Sequence, residues 1–256
     1  MEKLVVIVLD TDAKALEGLK TLRELDQSGE ISLYEAKGVA RQPDGSLKVI
    51  DHVELPELKK VIGGTLLGTL VGVLGGPIGV ATGGSAGLLL VALSEVLDQG
   101  VTLEFMKDVE SALIPGKTAI LASISEDSTE PLDIAVERLG GVIFRRIRTY
   151  EKERQDDLDA AAHQAEIEQL SVERARARAD RLAKLDAKID HLRAKFENAI
   201  ERRRLRTRKR EQERDAKVAA LRAKAEHSKA EIGRRHLARI SELQHDYSEQ
   251  VAGTSV

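Results

Sequence analysis

Along the first 150 residues, apolar side chains fall into short runs of two kinds. "LVVIVL" (Leu4 to Leu9) is continuous and β-branched, the pattern of a buried strand. Asp12 can cap the helix that follows, in which Ala15, Leu16, Leu19, Leu22 and Leu25 recur at helical spacing up to Ser28-Gly29. "ISLYEAKGVAR" (Ile31 to Arg41) predicts a strand, "QPDGS" a turn with Asp44-Gly45 at its tip, and "LKVIDHVEL" the returning strand of a hairpin. Further on, "TLEFMKDVESAL" predicts a helix, "KTAILASIS" a strand, "EPLDIAVERLG" a short helix and "GVIFRRIRT" a last strand. The predicted order is β-α-β-β, an insertion of two apolar helices, then α-β-α-β, which is an α+β chain. Without the insertion, the first four strands and two helices follow the ferredoxin-like pattern of one sheet with helices on one face.

After Tyr150 the pattern changes. No Pro follows and the only Gly before residue 249 is Gly233, while Ala, Glu, Arg, Lys and Leu dominate. These are strong helix formers. Leu182, Leu185, Ile189, Leu192 and Phe196 are spaced 3, 4, 3, 4, a coiled-coil a/d seam over two heptads. Leu221, Ala225, Ser228 and Ile232 form a second seam, and His236, Ile240, Leu243 and Tyr247 repeat it after a step of four. A straight helix of ~97 residues would be ~145 Å long, too long to satisfy an apolar stripe alone, so a partner helix is expected. One long helix and a helical hairpin both fit the spacing.

The insertion is unlike either part. Between Lys60 and Glu95 lie 34 residues without a charge, and they hold ten of the chain's 20 glycines. Gly64, Gly68, Gly72 and Gly76 form one i, i+4 row; Gly75, Gly79, Gly83 and Gly87 form another. On a helix each row makes a smooth groove that a second backbone can approach closely. Gly costs about 1 kcal/mol per helical position relative to Ala, so such rows suit close packing or a membrane better than exposure to water. Gly76-Pro77 divides the run into halves that are each short of the ~20 residues of a membrane span. The expected arrangement over residues 61–95 is a tight helical hairpin with both ends on one side of a membrane. Lys59 and Lys60 place that side in the cytoplasm. The competing reading is a cytoplasmic soluble homo-oligomer, a particle or filament with the hairpins packed at its centre.

Charge sharpens the boundary near Tyr150. Residues 1–150 carry 15 Lys+Arg and 22 Asp+Glu, a net of -7; residues 151–256 carry 25 and 21, a net of +4. Two regions follow: a head over 1–150 with the glycine-rich insertion, and a charged helical arm over 151–256. Aromatics make up 2% of the chain and Trp is absent, which argues against a base-stacking platform and a Trp belt. Cys is absent, so disulfides, thiolate metal sites and cysteine nucleophiles are ruled out together. The apolar run at the N-terminus ends in Asp10 and Asp12 after six residues, too short for a secretory leader, and no signal peptide is expected.

The search for chemistry yields no catalytic residue, metal site or cofactor. Asp10 and Asp12 are explained by capping and loop solvation. "GGTLLG" and "GGPIGVATGG" lack the Lys-Ser/Thr ending of a phosphate loop and the strand-loop-helix setting of a dinucleotide fingerprint. The six histidines form no close ligand pair, and Ser123 and Ser125 have no His-acid pattern nearby. One basic cluster stands out: Arg202, Arg203, Arg204, Arg206, Arg208, Lys209 and Arg210 make seven of the nine residues 202–210 basic. They suit phosphates of anionic lipid or nucleic acid. Glu201, Glu211 and Glu213 supply compensating charge for a simple solvated face.

"VVIVLDTDAKALEGLKTLRELDQSGEISLYEAKGVARQPDGSLKV" followed by a Gly-Pro-centred glycine zipper resembles a bacterial family catalogued as a membrane protein of unknown function. The resemblance runs over residues 3–148, is carried chiefly by "GEISLYEAKGVARQPDG" and the glycine rows, and implies membrane association without an activity. The expectation is therefore a non-enzymatic, membrane-associated structural or assembly protein. It would self-associate through the zipper hairpin and the coiled-coil arm, bind membrane lipid and have no small-molecule substrate. A nucleic-acid-binding coiled-coil protein that uses segment 202–210 is the other alternative.

Overall fold

The structure is a computed structural model and describes residues 2–54, 65–75, 93, 96–97, 99–148, 162–172, 179–228 and 230–252. Among them are five strands and seven helices. The strands are β1 (Glu2–Leu9), β2 (Ile31–Arg41), β3 (Leu47–Glu54), β4 (Thr118–Glu126) and β5 (Val142–Ile147). The helices are α1 (Asp12–Gln27), α2 (Leu66–Leu74), α3 (Leu103–Ala112), α4 (Glu130–Leu139), α5 (residues 162–172), α6 (Ala179–His227) and α7 (Ala230–Ala252). The chain is α+β, and the described elements of the head occur in the order that the hydrophobic pattern predicts, the second inserted helix lying outside the described residues. Local signals set several ends. Thr11 caps α1, Thr65 caps α2 and Thr102 caps α3, while α4 ends on Gly140 in the left-handed conformation.

The five strands form one antiparallel sheet in the order β3-β2-β4-β1-β5. β3 sits at the edge, paired with β2 alone, and β4 fills the gap between β2 and β1. No local pattern could show that insertion, because it depends on which strands find each other after the glycine-rich segment. Both sheet faces are covered. On one, Val5, Ile7, Leu9, Ile120, Ala122 and Ile124 pack under α1 and α4. On the other, Leu4, Val6, Val8, Ala119 and Leu121 pack under α2 and α3. Burial on both sides explains why β1 and β4 read as nearly continuous apolar runs.

Toward the end of the second face the inward side chains turn polar: Glu2, Ser32, Glu35, Ser123 and Ser125. In the β2–β4 register Leu33 faces Ile124 and Glu35 faces Ser123, so Tyr34 is an extra residue in a bulge. Its ring is buried against Ala216, Val218 and Leu221 of α6 and Ile240, Leu243 and Tyr247 of α7. The C-terminal helices thus cover the part of the sheet that α2 and α3 leave bare.

The arm is not one straight rod. α6 ends at His227, α7 starts at Ala230, and the two fold back on each other. Neither Pro nor Gly marks the break. Gly233, three residues into α7, lies where an added Cβ would come 2.9 Å from the Ala225 carbonyl oxygen. A Gly233→Val substitution is expected to splay the helices, with the ~1–3 kcal/mol cost of overpacking. Faster hydrogen exchange in residues 230–247, with the β1 and β4 amides unchanged, is the readout. Of the first seam, Ile189 and Leu192 are buried with Ile167 and Leu170 of α5, and Leu185 and Phe196 pack beside them. A helix of the same chain occupies this stripe, where a second chain was expected. The Leu182 side chain lies outside the described residues.

Candidate functional site

Three places correspond to the sequence-derived candidates or emerge beside them: the glycine face of α2, a buried ionic cluster beneath α6, and the basic stretch of α6. α2 carries no charge and, among the described residues, packs on the head through one side. Leu66, Leu67, Leu70 and Leu74 are buried against the sheet, and Arg41 Nη1 donates to the Leu74 carbonyl at 2.5 Å, binding the helix C-terminus. Gly68 and Gly72 lie on the other side. Among the described residues, an added Cβ at Gly72 would meet nothing within 4 Å, and at Gly68 the ends of Lys37 and Thr65. Gly75 is the buried C-cap. Gly64, Gly76, Gly79, Gly83 and Gly87, and with them the expected turn at Gly76-Pro77, lie outside the described residues. Among those described, no helix is long and apolar enough to cross a membrane.

The ionic cluster could not be read from the sequence, since its members are far apart in the chain. Lys217 Nζ donates to both Glu2 carboxylate oxygens at 2.7 and 2.8 Å. Arg148 Nη1 donates to Glu2 Oε1 at 2.6 Å and Ser123 Oγ donates to it at 2.5 Å. The other Arg148 terminal nitrogen donates to Glu213 Oε2 at 3.1 Å and to Gln99. Beside them Glu35 accepts from Thr65 Oγ1 at 2.7 Å and from Lys37 Nζ at 2.8 Å. Thr65 is also the N-cap of α2, so the cluster joins β1, β2, β4, α2 and α6. Three carboxylates face three cations, and every one of the six except Lys37 is a buried residue.

Burial by itself would raise the Glu2 pKa; the Arg148 and Lys217 charges and the Lys217 and Ser123 hydrogen bonds outweigh it and bring it down to about 2. Glu213 is likewise held below the usual carboxylate range, its desolvation overcome by Arg148 and Lys217. The Tyr34 hydroxyl, which donates to Ser125 Oγ at 3.1 Å, is pushed up by burial, and Lys217 Nζ lies 5.2 Å from its ring centre. The carboxylates therefore stay ionised and the phenol protonated through the neutral range. The space between Glu35, Thr65, Ser123, Arg148, Glu213 and Lys217 is about 10 Å³. That is about the room one water needs. This cluster is a structural core built from charges. Its partners on α6 sit four residues apart, Glu213 and Lys217, so one helix face carries both.

The basic stretch lies between the part of α6 held by α5 and the part held by the sheet. Arg202, Arg203, Arg204 and Arg208 are exposed, as is Leu205; Arg206, Lys209 and Arg210 are half-buried. Arg204 pairs with Glu201 at 3.8 Å, a spacing of three residues. The structure thus places this cluster apart from the glycine face and from the buried charges. Among the described residues no three His, Asp or Glu side chains converge in a way that could hold a metal.

These features define an α+β head capped by a helical hairpin, with the apolar helix α2 packed on the sheet through its leucines. Residues 61–162 match a protein family of unknown function, DUF1269. The match takes in the glycine-rich segment and α2 through β5, while the Gly29–Gly45 run that carries much of the sequence resemblance falls outside it. No curated protein and no solved structure matches the chain.

Proposed function

We propose that this chain is a non-enzymatic assembly protein that associates with copies of itself, and with a membrane, through its glycine-rich segment. The observation that carries the proposal is the division of α2 into two sides. Four leucines fix it to the sheet, and the opposite side offers Gly68 and Gly72 to a second backbone. The charge-free run on either side of α2 supplies the apolar surface for assembly or lipid contact. α2 alone is nine residues, about 13 Å at 1.5 Å per residue, against a hydrocarbon core of about 30 Å. Membrane association through this segment therefore draws on more than α2, with both flanks on the cytoplasmic side. The head is read as a ferredoxin-like plait, with β1-α1-β2 and β4-α4-β5 as two interleaved units and β3 added at the edge. The order β2-β4-β1-β5 supports this.

A Gly68→Leu/Gly72→Leu double variant tests the proposal. Among the described residues nothing crowds either position, so the sheet and its covering helices should keep their circular dichroism. Oligomer size by light scattering, membrane retention after carbonate extraction, or both should fall, because bulky side chains prevent close backbone approach. Unchanged assembly and unchanged retention in a folded double variant refute the assembly role.

A further inference from the structure

We propose that the α6–α7 hairpin is a proton-gated latch, held on the head while His236 is neutral and released when His236 takes up a proton. Of the six histidines, His236 alone is buried. It lies on α7 where that helix meets the head, with Nδ1 3.4 Å from Ser32 Oγ on β2. Arg239 Nη1 donates to the same Ser32 oxygen at 2.8 Å. The arrangement that satisfies every group has Ser32 accept from Arg239 and donate its own hydrogen to Nδ1, which requires an unprotonated Nδ1. A proton there makes Nδ1 a second donor to Ser32 Oγ and removes the acceptor of the Ser32 hydrogen.

The surrounding charges are already matched. Lys224 of α6 binds both oxygens of Asp26 on α1 at 2.6 Å. Arg235 of α7 binds Glu30 in the α1–β2 turn at 3.2 Å. Arg239 binds Asp127 after β4 at 3.1 Å and the carbonyls of Gly29 and Glu30 at 3.3 and 3.1 Å. Three cations of the hairpin face three carboxylates of the head, so a charged imidazole would be a fourth cation, favoured by Asp26 and opposed by burial, Lys224 and Arg239. Burial, with Lys224 next to it, holds the His236 pKa below the ordinary histidine value. The sign follows: the latched state binds fewer protons than the released one, so latching is complete above the ordinary histidine range and weakens as pH falls through it. Glu2 and Glu213 remain ionised across that window, so their contacts with Arg148 and Lys217 do not change there.

The absence of Cys lets Gln27→Cys on α1 and Leu237→Cys on α7, both exposed, carry spin labels in the full chain. Distances are recorded at about pH 7.5 and about pH 5.5, either side of the free histidine pKa of ~6.5. A single short distance is expected at the higher pH. At the lower, the ratio of long to short should rise by up to about ten-fold, the limit for one proton one unit below that pKa. His236→Gln keeps a neutral polar ring substitute and should hold the short distance at both values. Far-UV circular dichroism on the same samples should show the sheet signal intact. Identical distances in wild type at the two pH values overturn the latch, as does the same shift in His236→Gln. Loss of the sheet signal together with the shift also overturns it, since acid is then unfolding the head. None of these readouts depends on oligomer size or lipid, so the latch and the assembly role stand or fall separately.

Discussion

Replacing Lys217 with Met should destabilise the chain by about 3 kcal/mol, at the lower end of the 3–5 kcal/mol typical when one partner of a buried ion pair is removed. The lower end applies because Glu2 keeps Arg148 and Ser123 after the ammonium is gone. For a chain of this size the loss corresponds to a fall of roughly 6–12 °C in Tm. Glu2→Gln alone should be costly for the converse reason, leaving Lys217 to share Glu213 with Arg148 at 3.9 Å. The double variant Glu2→Gln/Lys217→Met removes one charge of each sign and should be clearly more stable than the sum of the single losses. Urea midpoints of the three variants give the coupling energy. If the single losses simply add, Glu2 and Lys217 do not interact across the arm–head boundary. α6 would then be held by the Tyr34 apolar cluster and by the Lys224–Asp26 and Arg148–Glu213 pairs.

Acid should act on the same pair. The Glu2 pKa falls from 4.5 to about 2 in the folded chain, so the unfolded chain takes up the proton first. Its contribution is complete above about pH 5 and disappears as pH falls toward about 2, on the order of 3 kcal/mol in all. Glu213, lowered by the same two cations, adds in the same direction. Urea midpoints measured between pH 6 and pH 3 should therefore fall steeply in wild type and more gently in Glu2→Gln. Equal slopes would show that other carboxylates control acid stability. Latch release belongs to a higher pH window, near the histidine range, so the two transitions are separable in one titration.

Ionic contacts of this kind also link the two ends of the molecule. Thr65 caps α2 and donates to Glu35, and the same small cavity is bounded by Glu213 and Lys217 of α6.

The sequence by itself determined the elements of the head and their order. β-branched runs such as Leu4 to Leu9, helical spacing from Ala15 to Leu25 and the Asp44-Gly45 turn are local signals, and local backbone preference and amphipathic period act through near neighbours. It also determined the helical character of the arm and the unusual glycine register, both properties of composition and spacing. The tertiary structure alone decided the rest. β4 enters between β1 and β2 because hydrogen-bonded strand edges are satisfied by whichever strand arrives, however distant in the chain. The seam of Ile189 and Leu192 took a helix of its own chain as partner, since a heptad stripe specifies burial without naming what buries it. Glu2, Arg148, Glu213 and Lys217 converge from as far as 215 residues apart, and each looks in sequence like an ordinary solvated charge. His236 passed for a seam position for the same reason. Charge and burial become a mechanism only when folding sets which groups share one low-dielectric space, and one chain's spacing does not encode that.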